Sequence, residues 1–215
     1  MIDFAAARRN MVDGQVRTAD VTDARILSAM FEVPREAFLA SAQTGLAYLD
    51  LDVPLGSGRC LMKPMVLAKL IQATDLAPTG RVLDVGCATG YATAVLARVA
   101  GQVVALEQDP GLTQCARASL ASQPNVKVES GPLTAGWAPG GPYDGILLEG
   151  AVEFVPEPLL RQLNDGGRLV CVLGAGPGAK ATVFYRSGKD IGSRTLFDAA
   201  AAVLPGFLKP PEFAF

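Results

Sequence analysis

The sequence predicts an α/β fold: a Rossmann-like, mostly parallel seven-stranded sheet flanked by helices, with a helical segment in front of it. Three observations predict it. From Arg81 onward, apolar runs and helical repeats alternate, which argues a largely parallel sheet covered on both faces. The stretch Arg81-Val82-Leu83-Asp84-Val85-Gly86-Cys87-Ala88-Thr89-Gly90-Tyr91 climbs through an apolar run into two glycines and then a helical repeat, so it reads as strand, tight loop, helix. Half of the 215 residues are hydrophobic, which supports one sizeable core.

Residues 1–78 stand outside the alternation and form the N-terminal helical segment; residues 79–215 form the α/β domain with a C-terminal extension. Ala5 to Val16 carries a helical mix. Thr22 is a suitable N-cap for a helix running from Asp23 to Phe31 with an acidic first turn, and Ile26, Leu27, Met30 and Phe31 share its apolar face. Val33 to Phe38 begins a short helix with proline in its first turn. Tyr48 to Arg59 reads as irregular, rich in turn formers from Asp50 on. Pro64 then starts a strong helix to Ala73, and Pro78-Thr79-Gly80 delivers the chain to the first strand of the domain.

Beyond the glycine loop, Ala92, Val95, Leu96 and Val99 recur at helical spacing, and Gln102 to Glu107 is an apolar run ending in a carboxylate. Further helices are expected over 111–122 and 156–163. Further strands are expected over 126–129, 143–149, 168–173 and, antiparallel, 181–186, with another around 195–197. The apolar tail from Phe197, with Pro205, Pro210 and Pro211, reads as an ordered extension wrapping the domain.

In such a sheet a ligand lies at the carboxyl ends of the strands, where Gly86, Glu107 and Glu149 fall together. Glycine lets backbone turn with positive φ or lie against a ligand, and the helix opening at Gly90 points free N–H groups at the loop. Glu107 lies about 20 residues past Gly86, where an acid can hold the two hydroxyls of a ribose. A nucleoside-bearing cofactor follows. The dinucleotide pattern G-x-G-x-x-G fits poorly, because Ala88 and Tyr91 occupy its second and third glycine positions. Asp84, two residues before Gly86, repels a pyrophosphate but attracts an amino group and a sulfonium. S-adenosylmethionine carries both, and Asp84-Val85-Gly86-Cys87-Ala88-Thr89-Gly90 is similar to the first motif of methyltransferases that use it.

Composition narrows the chemistry. Net charge is −2 with acids and bases interspersed, so nucleic acid is not an expected partner. Cys60, Cys87, Cys115 and Cys171 are scattered and histidine is absent. No metal site and no disulfide framework is expected, and the thiol usage is that of a reducing cytoplasm. The first residues do not read as a signal peptide, and no apolar run reaches membrane-spanning length. Without histidine the usual general base near neutral pH is missing, which favours an acceptor already ionised at pH 7.

The chain resembles the protein-L-isoaspartate O-methyltransferases. Asp23 to Met30 with Val33-Pro34-Arg35-Glu36-Ala37-Phe38 is similar to that family's "AM-x-x-VPR-x-x-F" run. Ala47-Tyr48 and Pro54-Leu55-Gly56-Ser57-Gly58 match its "AY…P-[IL]-G-x-G" segment. Pro64, Gly136-Trp137, Pro142-Tyr143-Asp144 and Gly166-Gly167-Arg168-Leu169-Val170 match later landmarks. The resemblance implies methyl transfer from S-adenosylmethionine to a carboxylate of isoaspartyl residues in damaged proteins, a repair reaction with a protein or peptide partner. Such a carboxylate, of pKa about 4, needs no base at pH 7. The task left to the protein is alignment and exclusion of water.

The departures from the family are specific. Where it reads Q-T-I-S-x-P, this chain has Arg59-Cys60-Leu61-Met62-Lys63-Pro64, so Met62 stands at the serine that faces the substrate carboxylate. A thioether has no donor to replace that hydroxyl. The family's adenine-contacting acid is here Pro132, after Gly131. The candidate cofactor-binding residues are Asp84, Gly86, Cys87, Gly90, Glu107, Gln108, Leu133 and Glu149. The substrate-side candidates are Arg59, Cys60, Met62 and Lys63, of which Arg59, Lys63 and the Cys60 thiol are polar groups able to hold a carboxylate. Three other readings stay open: a methyltransferase with another acceptor, a cofactor-binding protein with little catalysis, and, more distantly, a dehydrogenase.

Overall fold

The computed structural model describes residues 2–209. Its centre is a seven-stranded sheet in the order β5-β4-β3-β6-β7-β8-β9, with β3 Arg81–Val85, β4 Gln102–Glu107, β5 Val126–Ser130, β6 Tyr143–Val152, β7 Leu163–Leu173, β8 Lys180–Ser187 and β9 Asp190–Asp198. The first five run parallel, and β8 and β9 close the edge as an antiparallel hairpin. The chain order reverses between β3 and β6, the switch point at which open α/β sheets leave a crevice. Val85 pairs with Leu106 on one side and Leu148 on the other. That register brings Gly86, Glu107 and Glu149 to one end of the sheet.

Helices α4 Tyr91–Val99 and α5 Pro110–Ser119 follow β3 and β4, and α6 Glu157–Arg161 precedes β7. The N-terminal segment contributes α1 Phe4–Met11, α2 Ala24–Glu32 and α3 Pro64–Ala73. Its Met11, Ile26, Met30, Leu67 and Ile71 share one buried cluster with Ala92, Val95 and Leu96 of α4 and Val170 of β7. The two segments thus bury their apolar faces against each other.

The differences from expectation are local. The first helix gives way at Val12 to a wider turn through Val16. Asp23, not Thr22, caps α2: its carboxylate accepts from Arg25 N at 2.8 Å, while the Thr22 N–H donates to Gln72 Oε1 at 2.7 Å. The region expected to be irregular contains a two-stranded ribbon, β1 Val53–Gly56 and β2 Arg59–Leu61. The turn formers are its bend, with Gly56, Ser57 and Gly58 at φ of 90°, 51° and 69°. The helix expected over 156–163 is shorter, because β7 already begins at Leu163. Phe197 lies in β9; the segment after it runs parallel alongside the end of β6, with Leu204 N donating to Ala151 O and Ala151 N to Ala202 O, both at 2.8 Å. Pro210 and Pro211 lie outside the described residues. No helix among the described residues is long and apolar enough to cross a membrane.

Candidate functional site

The glycine loop is tied to the neighbouring strand before any ligand is considered. Gly86 N and Cys87 N both donate to Leu106 O, at 2.8 and 3.2 Å. Gly86, Ala88 and Gly90 have φ of 80°, 50° and 97°, so the chain reverses within five residues and α4 starts with its amino end toward the end of β4. Gly90 also has a packing reason: a Cβ there would lie 2.8 Å from Leu120 Cδ1.

Glu107, at the end of β4, is wholly buried. Its carboxylate accepts from Ala88 N at 2.9 Å, Gln108 N at 2.9 Å and Asp109 N at 3.1 Å. It also accepts from Arg59 Nη1 at both oxygens, at 3.0 and 2.9 Å. The second Arg59 nitrogen donates to Gly86 O. A Cβ built on Gly86 would lie 2.7 Å from Arg59 Nη2 and 3.1 Å from Leu204 Cδ2. So Arg59, expected as a polar group on the substrate side, is no solvated cation: it is buried against Glu107, the acid expected to hold a ribose. The nucleoside frame is present, but in this conformation its acceptor and its glycine face are taken by the chain's own side chains. A nucleoside cofactor does not fit until they move.

Beneath the loop lies a second acidic pair. Asp84 and Glu149 are both buried. Asp84 Oδ2 accepts from Thr93 Oγ1 at 2.6 Å. Asp84 Oδ1 and Glu149 Oε1 find no donor among the described residues. A proton held on Glu149 and donated to Asp84 satisfies both. Burial pushes Asp84 up to about 6, against the opposing pull of the Thr93 and Glu149 hydrogen bonds. Burial, then the nearby Asp84 charge, pushes Glu149 well above the carboxylate range.

The remaining candidates divide. Cys87 is buried, and desolvation raises its thiol well above the ordinary value. Burial and the charge of Asp52 raise Cys60. Neither is disposed to be a thiolate. Met62 is wholly buried, its carbonyl accepting from the buried Arg35 guanidinium at 2.5 Å. Lys63 is half-buried at the start of α3, its N–H donating to Asp52 Oδ1 at 2.7 Å. Gln108 is exposed. Leu133 is buried in the apolar cluster that includes Leu106, and Gly131 N donates to Glu107 O at 3.2 Å, bringing its segment to the end of β4. Thr93, Arg35 and Leu204 were not among the candidates. Thr93 lies in the first turn of α4, which the glycine loop folds back over Asp84 of β3; nothing in the sequence marks Leu204.

Sheet order, glycine loop and terminal acid define the Rossmann-like class of nucleoside-cofactor transferases. One solved protein-L-isoaspartate O-methyltransferase superposes with TM-score 0.82 at 25% identity, covering 94% of this chain and 67% of that one. A Plasmodium falciparum structure, titled a putative protein-L-isoaspartate O-methyltransferase in complex with S-adenosyl-L-homocysteine, shares the fold at TM-score 0.75 and 18% identity, covering 95% and 99%. The family model for protein-L-isoaspartate(D-aspartate) O-methyltransferase matches residues 6–198. Protein-L-isoaspartate O-methyltransferase 1 of Rhodopseudomonas palustris (strain HaA2) is 42% identical over 182 residues, 84% of this chain and 74% of the relative. The Methylorubrum extorquens (strain PA1) enzyme is 42% identical over 189 residues, 87% and 83%. The chain belongs to the protein-L-isoaspartate(D-aspartate) O-methyltransferase family.

Proposed function

We propose that this chain is a carboxyl methyltransferase that uses S-adenosylmethionine as donor and L-isoaspartyl residues of damaged proteins as acceptor, acting in the cytoplasm. The observation that carries the reading is the family match from residue 6 to 198, which spans both the N-terminal segment and the glycine loop with its terminal acid. The donor supplies an activated methyl group; the acceptor carboxylate, ionised at pH 7, asks for no base. That agrees with a chain without histidine and with cysteines whose thiols are held protonated. Gly86, Glu107 and the amino end of α4 are the residues suited to the nucleoside, once Arg59 has left them. The β1–β2 ribbon, with Cys60 and then Met62 and Lys63, forms the wall that keeps water from the acceptor. Incubation with methyl-labelled donor and an isoaspartyl peptide tests the reading: a base-labile methyl ester supports it, and donor binding with no ester on this peptide rejects it.

In this reading Met62 replaces the family's serine, and the lost hydrogen bond to a charged partner, worth about 1.5–3 kcal/mol, slows the reaction without abolishing it. Met62→Ser should raise the single-turnover rate on an isoaspartyl peptide roughly ten- to a hundred-fold. Donor affinity should be nearly unchanged, and loss of the buried thioether should cost about 2–5 kcal/mol of stability. An unchanged rate in a folded variant would show that this hydroxyl is not what separates the chain from its relatives. The full burial of Met62 favours a second reading, a methyltransferase with a more apolar acceptor. Transfer from the labelled donor to other acceptors alone would identify it.

A further inference from the structure

We infer that Arg59 is an internal stand-in for the methyl donor, a latch that closes the donor's site and must leave it before the donor is held. The inference rests on the reading that S-adenosylmethionine is the donor.

The chemistry of the contact carries it. The donor offers a ribose diol, an ammonium and a positive sulfonium. Arg59 offers two N–H bonds to the two oxygens of Glu107, a third to Gly86 O, and one positive charge. The guanidinium therefore takes the same acceptors and provides the same charge complement. It also takes the space. The face of Gly86, where a missing side chain lets a ligand touch backbone, is filled by Arg59 Nη2 and Leu204 Cδ2. Leu204 reaches in from the C-terminal segment and lies closer still to Gly150, where a Cβ would be 2.8 Å from it.

The element bearing Arg59 is anchored at its ends and free at its bend: Val53 and Leu61 are buried in the core, and the bend between them stands outside it. The β1–β2 ribbon is a sheet of its own, outside the seven-stranded sheet. Its bend, Gly56-Ser57-Gly58, is exposed and left-handed. Swinging it outward breaks no strand pairing of the main sheet. Glu107 keeps its three backbone N–H donors in either state, but its buried charge also calls for a partner on the outer side, and exchange of Arg59 for the donor keeps that side supplied. The open form without donor lacks that partner, so it is sparsely populated, and apparent affinity falls by the open fraction.

Calorimetric titration of S-adenosylmethionine and S-adenosylhomocysteine into wild type, Arg59→Gln and Leu204→Ala tests the latch. The glutamine amide keeps one hydrogen bond for Glu107 but removes the fork and the charge. Leu204→Ala clears the same space without touching the ion pair. Arg59→Gln should lower Kd about ten- to a hundred-fold, and Leu204→Ala by a smaller factor. Hydrogen exchange in wild type should rise over residues 53–61 and fall over 86–90 when donor is added. Equal or weaker binding by both variants, or a ribbon equally protected with donor bound, overturns the latch while leaving the donor assignment standing. Absence of binding by all three folded proteins overturns both.

Discussion

Arg59→Ala is expected to lower stability by about 3–5 kcal/mol, the cost of leaving a buried charge without its partner. The Glu107 side chain is 0% exposed and Arg59 2%, so neither charge is rescued by water while the ribbon stays in place. For a chain of this size the loss corresponds to roughly 6–20 °C in Tm. The remaining N–H donors from Ala88, Gln108 and Asp109 keep part of the carboxylate supplied, so the variant should fold. The double variant Arg59→Ala/Glu107→Gln should be more stable than Arg59→Ala alone, because removing the orphaned charge is cheaper than stranding it. Urea unfolding at pH 7 measures both. A loss under about 1 kcal/mol for Arg59→Ala would mean that Glu107 reaches water when the guanidinium is gone, and would argue that the ribbon stands open much of the time.

Glu149→Gln is expected to stabilise the protein at pH 8 and to do nothing near pH 4. The sign follows from the two acids beneath the loop. Both have folded values raised above their ordinary ones. Between the unfolded and folded values the fold binds more protons than the unfolded chain, so stability falls as pH rises. The window opens near 4, where unfolded carboxyls ionise, and closes near 6 for Asp84; for Glu149 it runs from the same opening to a folded value well above the ordinary one. Glutamine keeps a donor for Asp84 with no proton to lose and removes the like charge that raises the pair. The gain over wild type should therefore be absent near pH 4 and grow as pH rises through the folded values of the pair. Chemical denaturation of wild type and variant from pH 4 to 8 gives the difference directly. A gap that does not widen with pH would show that the pair does not share a proton.

The elements that read most clearly were those whose pattern is local. The β3–loop–α4 unit has an apolar run, glycines where φ turns positive, and a 3.6-residue repeat, and it formed from Arg81 to Val99. The parallel order and the gathering of Gly86, Glu107 and Glu149 followed from alternation and from the place where strands end. The ribbon from Val53 to Leu61 was hidden because glycine and serine mark a bend without revealing that short strands flank it. Cap and end positions moved by a few residues, as at Asp23, whose own carboxylate reaches the Arg25 N–H and so takes the cap.

The candidate site divides in the same way. Acids behind the strands were legible, since an acid after an apolar strand has few places to go. The partner that each acid takes was not. Arg59 and Glu107 are 48 positions apart, and no periodicity or spacing relates them. Only the docking of the ribbon against the carboxyl end of β4 brings the guanidinium onto the carboxylate, and only the pairing of the C-terminal segment beside the end of β6 lays Leu204 on Gly86. By itself the sequence determined the fold, the nucleoside frame and the family, because these rest on short-range patterning of apolar residues and glycine. The tertiary structure alone decided that Glu107 and the Gly86 carbonyl are paired with the chain's own arginine, because a buried charge takes whichever partner packing brings within reach.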